Sequence, residues 1–138
     1  MAQFQLYPQL ASDTIRVADL DLCQLLLMND QTYPWLVMVP RRGDMRELHD
    51  LTPGDQQVLM LEVTMVSRAM QRLFEADKMN VAALGNMVPQ LHIHVIARYE
   101  DDPAWPGPIW GVVKPQPYGT DELEAVVASL KKALTLSP

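Results

Sequence analysis

The run Gln90-Leu91-His92-Ile93-His94-Val95-Ile96 holds two of the chain's three histidines, each set between aliphatic residues. Alternation of this kind predicts a half-buried β-strand, here over about residues 90–98. Side-chain direction repeats every second residue, so Gln90, His92 and His94 are expected on one face and Leu91, Ile93 and Val95 on the other. Same-face neighbours lie about 6.5 to 7 Å apart. At that spacing two imidazoles can meet different atoms of one phosphate-sized group. A strand with a purely structural duty would carry threonine or valine at such positions.

Upstream of that run, Gly85-Asn86 marks a turn and Met79 to Leu84 reads as a strand. Before it stands the clearest helix, expected over about residues 53–75. Thr52 is the N-cap, Pro53 suits the first helical position, and Asp55 completes an approximate capping box. Leu59, Val63, Val66, Met70 and Leu73 recur at helical spacing, with Asp55, Glu62, Arg68, Gln71 and Arg72 as the polar side. Leu22 to Met28 and Trp35 to Val39 are apolar runs of strand length joined by Asn29-Asp30-Gln31-Thr32, a hairpin that Pro40 closes. Thr14 to Val17 is a short strand candidate; the rest of residues 1–20 shows no pattern.

Downstream, Pro103, Pro106, Pro108, Pro115 and Pro117 exclude regular helix or central strand from residues 100–118 and predict a rigid loop over the body. Thr120 then caps a final helix over about 120–135, with Asp121, Glu122 and Glu124 in its first turn and Lys131 and Lys132 near its end. Leu123, Val127, Leu130 and Leu134 make its buried stripe. Hairpin strands with two helices at different points of the chain indicate an α+β class with an antiparallel sheet.

The 138 residues suit a single domain spanning 1–138, with a core at about 22–111. A net charge of −6 argues against a nucleic-acid partner, which needs a basic face, yet leaves room for a small anionic substrate met by local cations. One cysteine, Cys23, forms no internal disulfide and suits a reducing compartment. Met1 to Leu10 lacks the basic-then-apolar pattern of an export signal, and no apolar run is long enough for a bilayer. The expected location is the cytoplasm, with no membrane partner.

Three chemistries fit His92 and His94. They decorate a solvent-facing strand, they supply two ligands to a metal, or one of them is a nucleophile. A structural zinc needs four ligands and a catalytic one usually three, so His49 or Cys23 would have to arrive through the fold. A neutral imidazole, with an ordinary pKa of about 6.5, can attack phosphorus at cellular pH. Of the other residues, His49 reads as structural, and Trp105 and Trp110 as anchors of the proline-rich loop more than as cover for a nucleotide or base. Arg41, Arg42 and Arg98 read as scattered surface cations more than as a positive field for an anionic substrate, and the nine methionines as core filler.

Gln90-Leu91-His92-Ile93-His94-Val95-Ile96 closely resembles the His-φ-His-φ-His-φ-φ signature of the histidine triad (HIT) superfamily, φ being hydrophobic. Leu25 to Asn29, Trp35 to Pro40, Glu47 to Thr52 and Gly85-Asn86 resemble that family's segments in its order, so the likeness covers about residues 22–98. The Pro/Trp stretch and the terminal helix look like a small bacterial branch. The resemblance implies a five-stranded antiparallel sheet with the long helix packed on it, in a homodimer. It also implies a nucleotide hydrolase or nucleotidyl transferase acting at the α-phosphorus of a purine nucleotide conjugate. His92 matches the nucleophile and His94 the residue that contacts phosphate or leaving group. Gln90 replaces the first triad histidine and can hydrogen-bond but not titrate. Asn29 matches a position near the ribose or serves only as a turn residue, Asn80 reaches phosphate or simply ends an edge strand, and Asn86 is a candidate for phosphate. No cofactor is required; magnesium would enter only on a polyphosphate substrate. The alternatives are a nucleotide-binding module weakened by Gln90 and a metal-dependent hydrolase with His92 and His94 as ligands.

Overall fold

A computed structural model describes residues 3–135; Met1, Ala2 and residues 136–138 of the expected 1–138 span lie outside the described residues. The order is α1 (Pro8–Asp13), β1 (Thr14–Asp19), β2 (Cys23–Met28), β3 (Trp35–Pro40), α2 (Pro53–Phe74), β4 (Lys78–Ala82), β5 (Ile93–Arg98) and α3 (Thr120–Thr135). The strands form one antiparallel sheet in the order β1-β2-β3-β5-β4. The expected α+β class, five-stranded sheet, long helix and terminal helix are all present. Among the described residues no helix is long and apolar enough to cross a membrane.

Sheet register sorts the side chains onto two faces. Leu25 opposite Met38, Leu27 opposite Leu36, and Ile93 and Val95 of β5 face Leu59, Val63, Val66 and Met70 of α2 and Leu130 of α3. Each such buried side chain stabilises the fold by about 1.5 to 3 kcal/mol. The other face carries Trp35, Val37, His94, Ile96 and Arg98. It is covered by the N-terminal segment, with Phe4, Leu6 and Leu10, and by the proline-rich loop, with Ala104 and Ile109. Strands buried on both sides gain nothing from alternation, which is why β2 and β3 read as unbroken apolar runs.

Several expectations are corrected. The histidine strand begins at Ile93, so Gln90 to His92 lead into it, and β5 is buried along its whole length rather than half-buried. The strand expected at Met79–Leu84 is Lys78–Ala82, and α1 escaped notice because Pro8–Asp13 is too short for a period to show. Thr52 caps α2 by accepting the Asp55 N–H at 3.1 Å. The Asp55 carboxylate does not return to Thr52; it pairs with Arg42 at 2.8 Å. Glu62 is not on a polar face. It is 7% exposed and accepts the N–H groups of Leu22 (2.8 Å) and Cys23 (2.9 Å), tying α2 to the start of β2.

Candidate active site

His92 immediately precedes β5 and His94 is its second residue. Their rings meet edge to face with centroids 4.9 Å apart, and both are buried, at 5% exposure each. His92 Nδ1 lies 2.7 Å from the main-chain oxygen of Gln90. A carbonyl only accepts, so Nδ1 carries the proton and the lone pair sits on Nε2. His94 is set the opposite way. The indole Nε1–H of Trp35, which only donates, points at His94 Nδ1 at 3.0 Å, so the proton of His94 is on Nε2. Burial, and then the neighbouring His92, hold the His94 pKa down to about 4. In their neutral forms the pair therefore presents one lone pair, on His92 Nε2, and one N–H donor, on His94 Nε2.

Trp110 closes this corner, its ring 5.3 Å from that of His94 and tilted by 76°. Unlike a loop anchor it stays 39% exposed. Gly111 follows with φ +78°, a left-handed turn that a side chain would strain. Trp105 does act as an anchor, stacked 5.7 Å from the Arg98 guanidinium. Asp30, Tyr33, Trp35, Ile109, Trp110 and Lys114 line an adjoining groove of about 460 Å³.

Arg98 is the largest correction among the charged residues. It is 1% exposed, not a surface cation. Its Nε and Nη2 donate to the two carboxylate oxygens of Asp102 at 2.8 and 3.0 Å. Nη1 reaches Asn80 Oδ1 at 2.7 Å, and Nη2 also reaches the Gly107 carbonyl at 2.8 Å. The loop that delivers Trp110 is thus pinned to the strand that carries His94. Arg41 donates to the carbonyls of Leu20 and Asp21, and Arg42 pairs with Asp55.

The expected site residues divide. His92 and His94 meet. The Gln90 side chain leaves the pair: its Oε1 accepts the Tyr7 N–H at 2.8 Å and its Nε2 donates to the Gln5 carbonyl at 3.0 Å. Only its main chain serves His92. Asn80 gives its carboxamide oxygen to Arg98 at the edge of the sheet. Asn29 Oδ1 accepts the Tyr118 N–H at 3.0 Å and, with Asp30 holding Gln116, fastens the end of the proline-rich segment. Asn86 is exposed and lines a groove with Arg46, His49 and Leu91. Trp35, Trp110 and Asp102 were not singled out as site residues; the clue to Trp35 was an indole N–H on a buried strand, which must find an acceptor. Among the described residues no three His, Cys, Asp or Glu side chains come together as a metal site.

Residues 9–101 match the family model described as the HIT domain. The chain belongs to the HIT domain family. A histidine triad protein from Marinobacter aquaeolei VT8 is 49% identical, with a TM-score of 0.96, over 99% of this chain and 100% of that one. A histidine triad protein from Bradyrhizobium japonicum is 44% identical, with a TM-score of 0.94, over 96% of this chain and 99% of the other. A bis(5'-adenosyl)-triphosphatase of Saccharomyces cerevisiae (strain YJM789) is 33% identical over 70 residues, 47% of this HIT chain and 34% of the relative. The match thus spans about a third of that relative's length.

Proposed function

We propose that this HIT domain hydrolyses, or transfers the nucleotidyl group of, a purine nucleotide conjugate by forming a nucleotidyl-histidine at His92. The observation that carries this is the Gln90 carbonyl on His92 Nδ1, which puts the lone pair of the neutral ring on Nε2. In the first step the Nε2 lone pair forms a bond to the α-phosphorus while the bond to the leaving group breaks, its electron pair departing with that group. The imidazole becomes cationic, and its Nδ1–H bond to the carbonyl strengthens. Water, or another acceptor, then attacks the phosphorus; the N–P pair returns to Nε2 and the incoming oxygen loses its proton to solvent. His94 Nε2–H is the donor to a phosphate oxygen. The similarity to a bis(5'-adenosyl)-triphosphatase supports the substrate class.

No metal is needed for these steps; magnesium would enter only as the partner of a polyphosphate. Against the metal-ligand alternative, the Trp35 N–H on His94 Nδ1 puts the ring's proton on Nε2, the nitrogen that would have to bind a metal. Mass spectrometry of protein quenched with a panel of adenosine conjugates tests the scheme. The expected result is one adenylyl adduct on His92, absent in His92→Ala. An adduct elsewhere, or none with any conjugate, refutes it.

A further inference from the structure

Resting on that reading, the contact between Trp35 and His94 bears on which bonds the site can break. We propose that Trp35 makes His94 a donor that cannot serve as an acid, so that the site cleaves conjugates whose leaving group departs as a stable anion. Phosphoric and carboxylic anhydrides and aryl esters of a nucleoside monophosphate belong to that class. Amine and alkyl-alcohol conjugates do not.

The geometry behind this is specific. To protonate a leaving group at neutral pH, His94 would have to be an imidazolium, with N–H groups on both nitrogens. The Nδ1 position already receives the indole N–H of Trp35 at 3.0 Å, so an imidazolium would set two donors against each other. Surrendering the Nε2 proton from the neutral ring would instead create an imidazolate, which cellular pH does not permit. The neighbours give no help. His92 stands edge-on at 4.9 Å and Trp110 at 5.3 Å, and across the sheet His94 pairs with Val37 and Ala82. Arg98, two same-face positions along β5, has its charge committed to Asp102. Gln90, at the position where the family carries its first histidine, does not titrate, and its carboxamide is held by Tyr7 and Gln5. Burial of His94 works in the same direction as the Trp35 contact.

In the cleavage of an amine conjugate the nitrogen must gain a proton before the P–N bond can break heterolytically; an anhydride oxygen takes the bonding pair and leaves as phosphate or carboxylate unaided. General acid catalysis typically contributes about 10²- to 10⁴-fold, and this site forgoes it. The test compares kcat/KM for the 4-nitrophenyl ester of adenosine monophosphate with that for its benzylamine phosphoramidate, alongside adduct formation on His92. The expected result is a preference for the ester of at least about 100-fold. Trp35→Phe, which removes the N–H and keeps a ring, should narrow the gap below pH 6. It should also raise the His94 titration seen by NMR above its value of about 4 in the parent protein. Equal rates on both conjugates, with the adduct on His92, overturn this inference and leave the proposed function standing. An unmoved His94 titration in Trp35→Phe overturns it too. Failure of every conjugate to label His92 overturns both.

Discussion

Replacing Asp102 by asparagine probes the link between stability and site. The carboxylate is 4% exposed and its partner guanidinium 2%. Oδ2 accepts from Arg98 Nε (2.8 Å) and the Tyr99 N–H (3.0 Å). Oδ1 accepts from Arg98 Nη2 (3.0 Å) and the N–H groups of Ala104 (3.1 Å) and Trp105 (2.8 Å). Asparagine has one acceptor oxygen, so whichever way it turns, at least two of these donors face an NH₂ group. Arg98, 1% exposed, is left with its charge uncompensated. Breaking a buried pair from one side costs about 3 to 5 kcal/mol, a large part of a total stability of about 5 to 15 kcal/mol. For a chain of 138 residues that corresponds to a fall in Tm on the order of 10 to 20 °C. Urea titration at pH 7, followed by circular dichroism, measures it. Asp102, its pKa held at about 2 by Arg98 and then by backbone N–H groups, is ionised at that pH. A loss below about 1 kcal/mol would mean that the pair behaves like a surface ion pair, and the reasoning would fail. The double variant Arg98→Met/Asp102→Leu should recover part of the loss, since it leaves no lone buried charge. In Asp102→Asn the turnover of a nucleotide conjugate should also fall, because the loop bearing Trp110 loses its tie to β5.

Three further outcomes are expected. His94 titrates near 4 in the fold against 6.5 ordinarily, so as pH falls the unfolded chain takes up the proton first. The His94 contribution to stability should drop by about 1.4 kcal/mol per unit between pH 6.5 and 4, roughly 3 kcal/mol in all, and level off below, where buried Asp102 begins to weigh instead. Urea midpoints across that range should lose this slope in His94→Gln. Gln90→Ala should cost about 1 kcal/mol and speed amide exchange at Tyr7, while nitrogen NMR still finds His92 protonated on Nδ1, because the carbonyl remains. A shift of that proton to Nε2 would contradict the assigned tautomer. Glu62→Gln should cost about 1 to 3 kcal/mol in urea titration, since the Leu22 and Cys23 N–H groups both need an acceptor and the amide offers one oxygen.

Periodicity made both long helices and the histidine strand legible, because a face that must be buried writes its repeat into the chain, while β2 and β3 were legible as apolar runs of strand length bounded by turn residues. It could not show that β5 is covered on both sides, since that cover comes from the N-terminal segment and a proline-rich loop without repeats of their own. Glu62 and Arg98 were misjudged for a related reason. A charged side chain is read as exposed until its partners are known, and these partners lie up to 40 residues away in Leu22 or within an irregular loop at Asp102. The two histidines were legible as a pair, but their protonation was not. Each ring takes its proton position from a neighbour whose role depends on register: Trp35 reaches across from β3 to His94, and Gln90 turns its carbonyl toward His92.

That last contact changes how the glutamine is to be understood. As a substitution in a signature, Gln90 suggests a damaged triad. In the fold, its side chain serves the N-terminal segment, and the part that meets the nucleophile is a main-chain oxygen carried by every residue type. Position 90 can therefore lose its imidazole without disturbing the tautomer of His92. What the exchange removes is a titrating group, and the Trp35 N–H denies His94 the chance to replace it. The two residues together leave a site equipped to attack phosphorus and ill-equipped to protonate what departs.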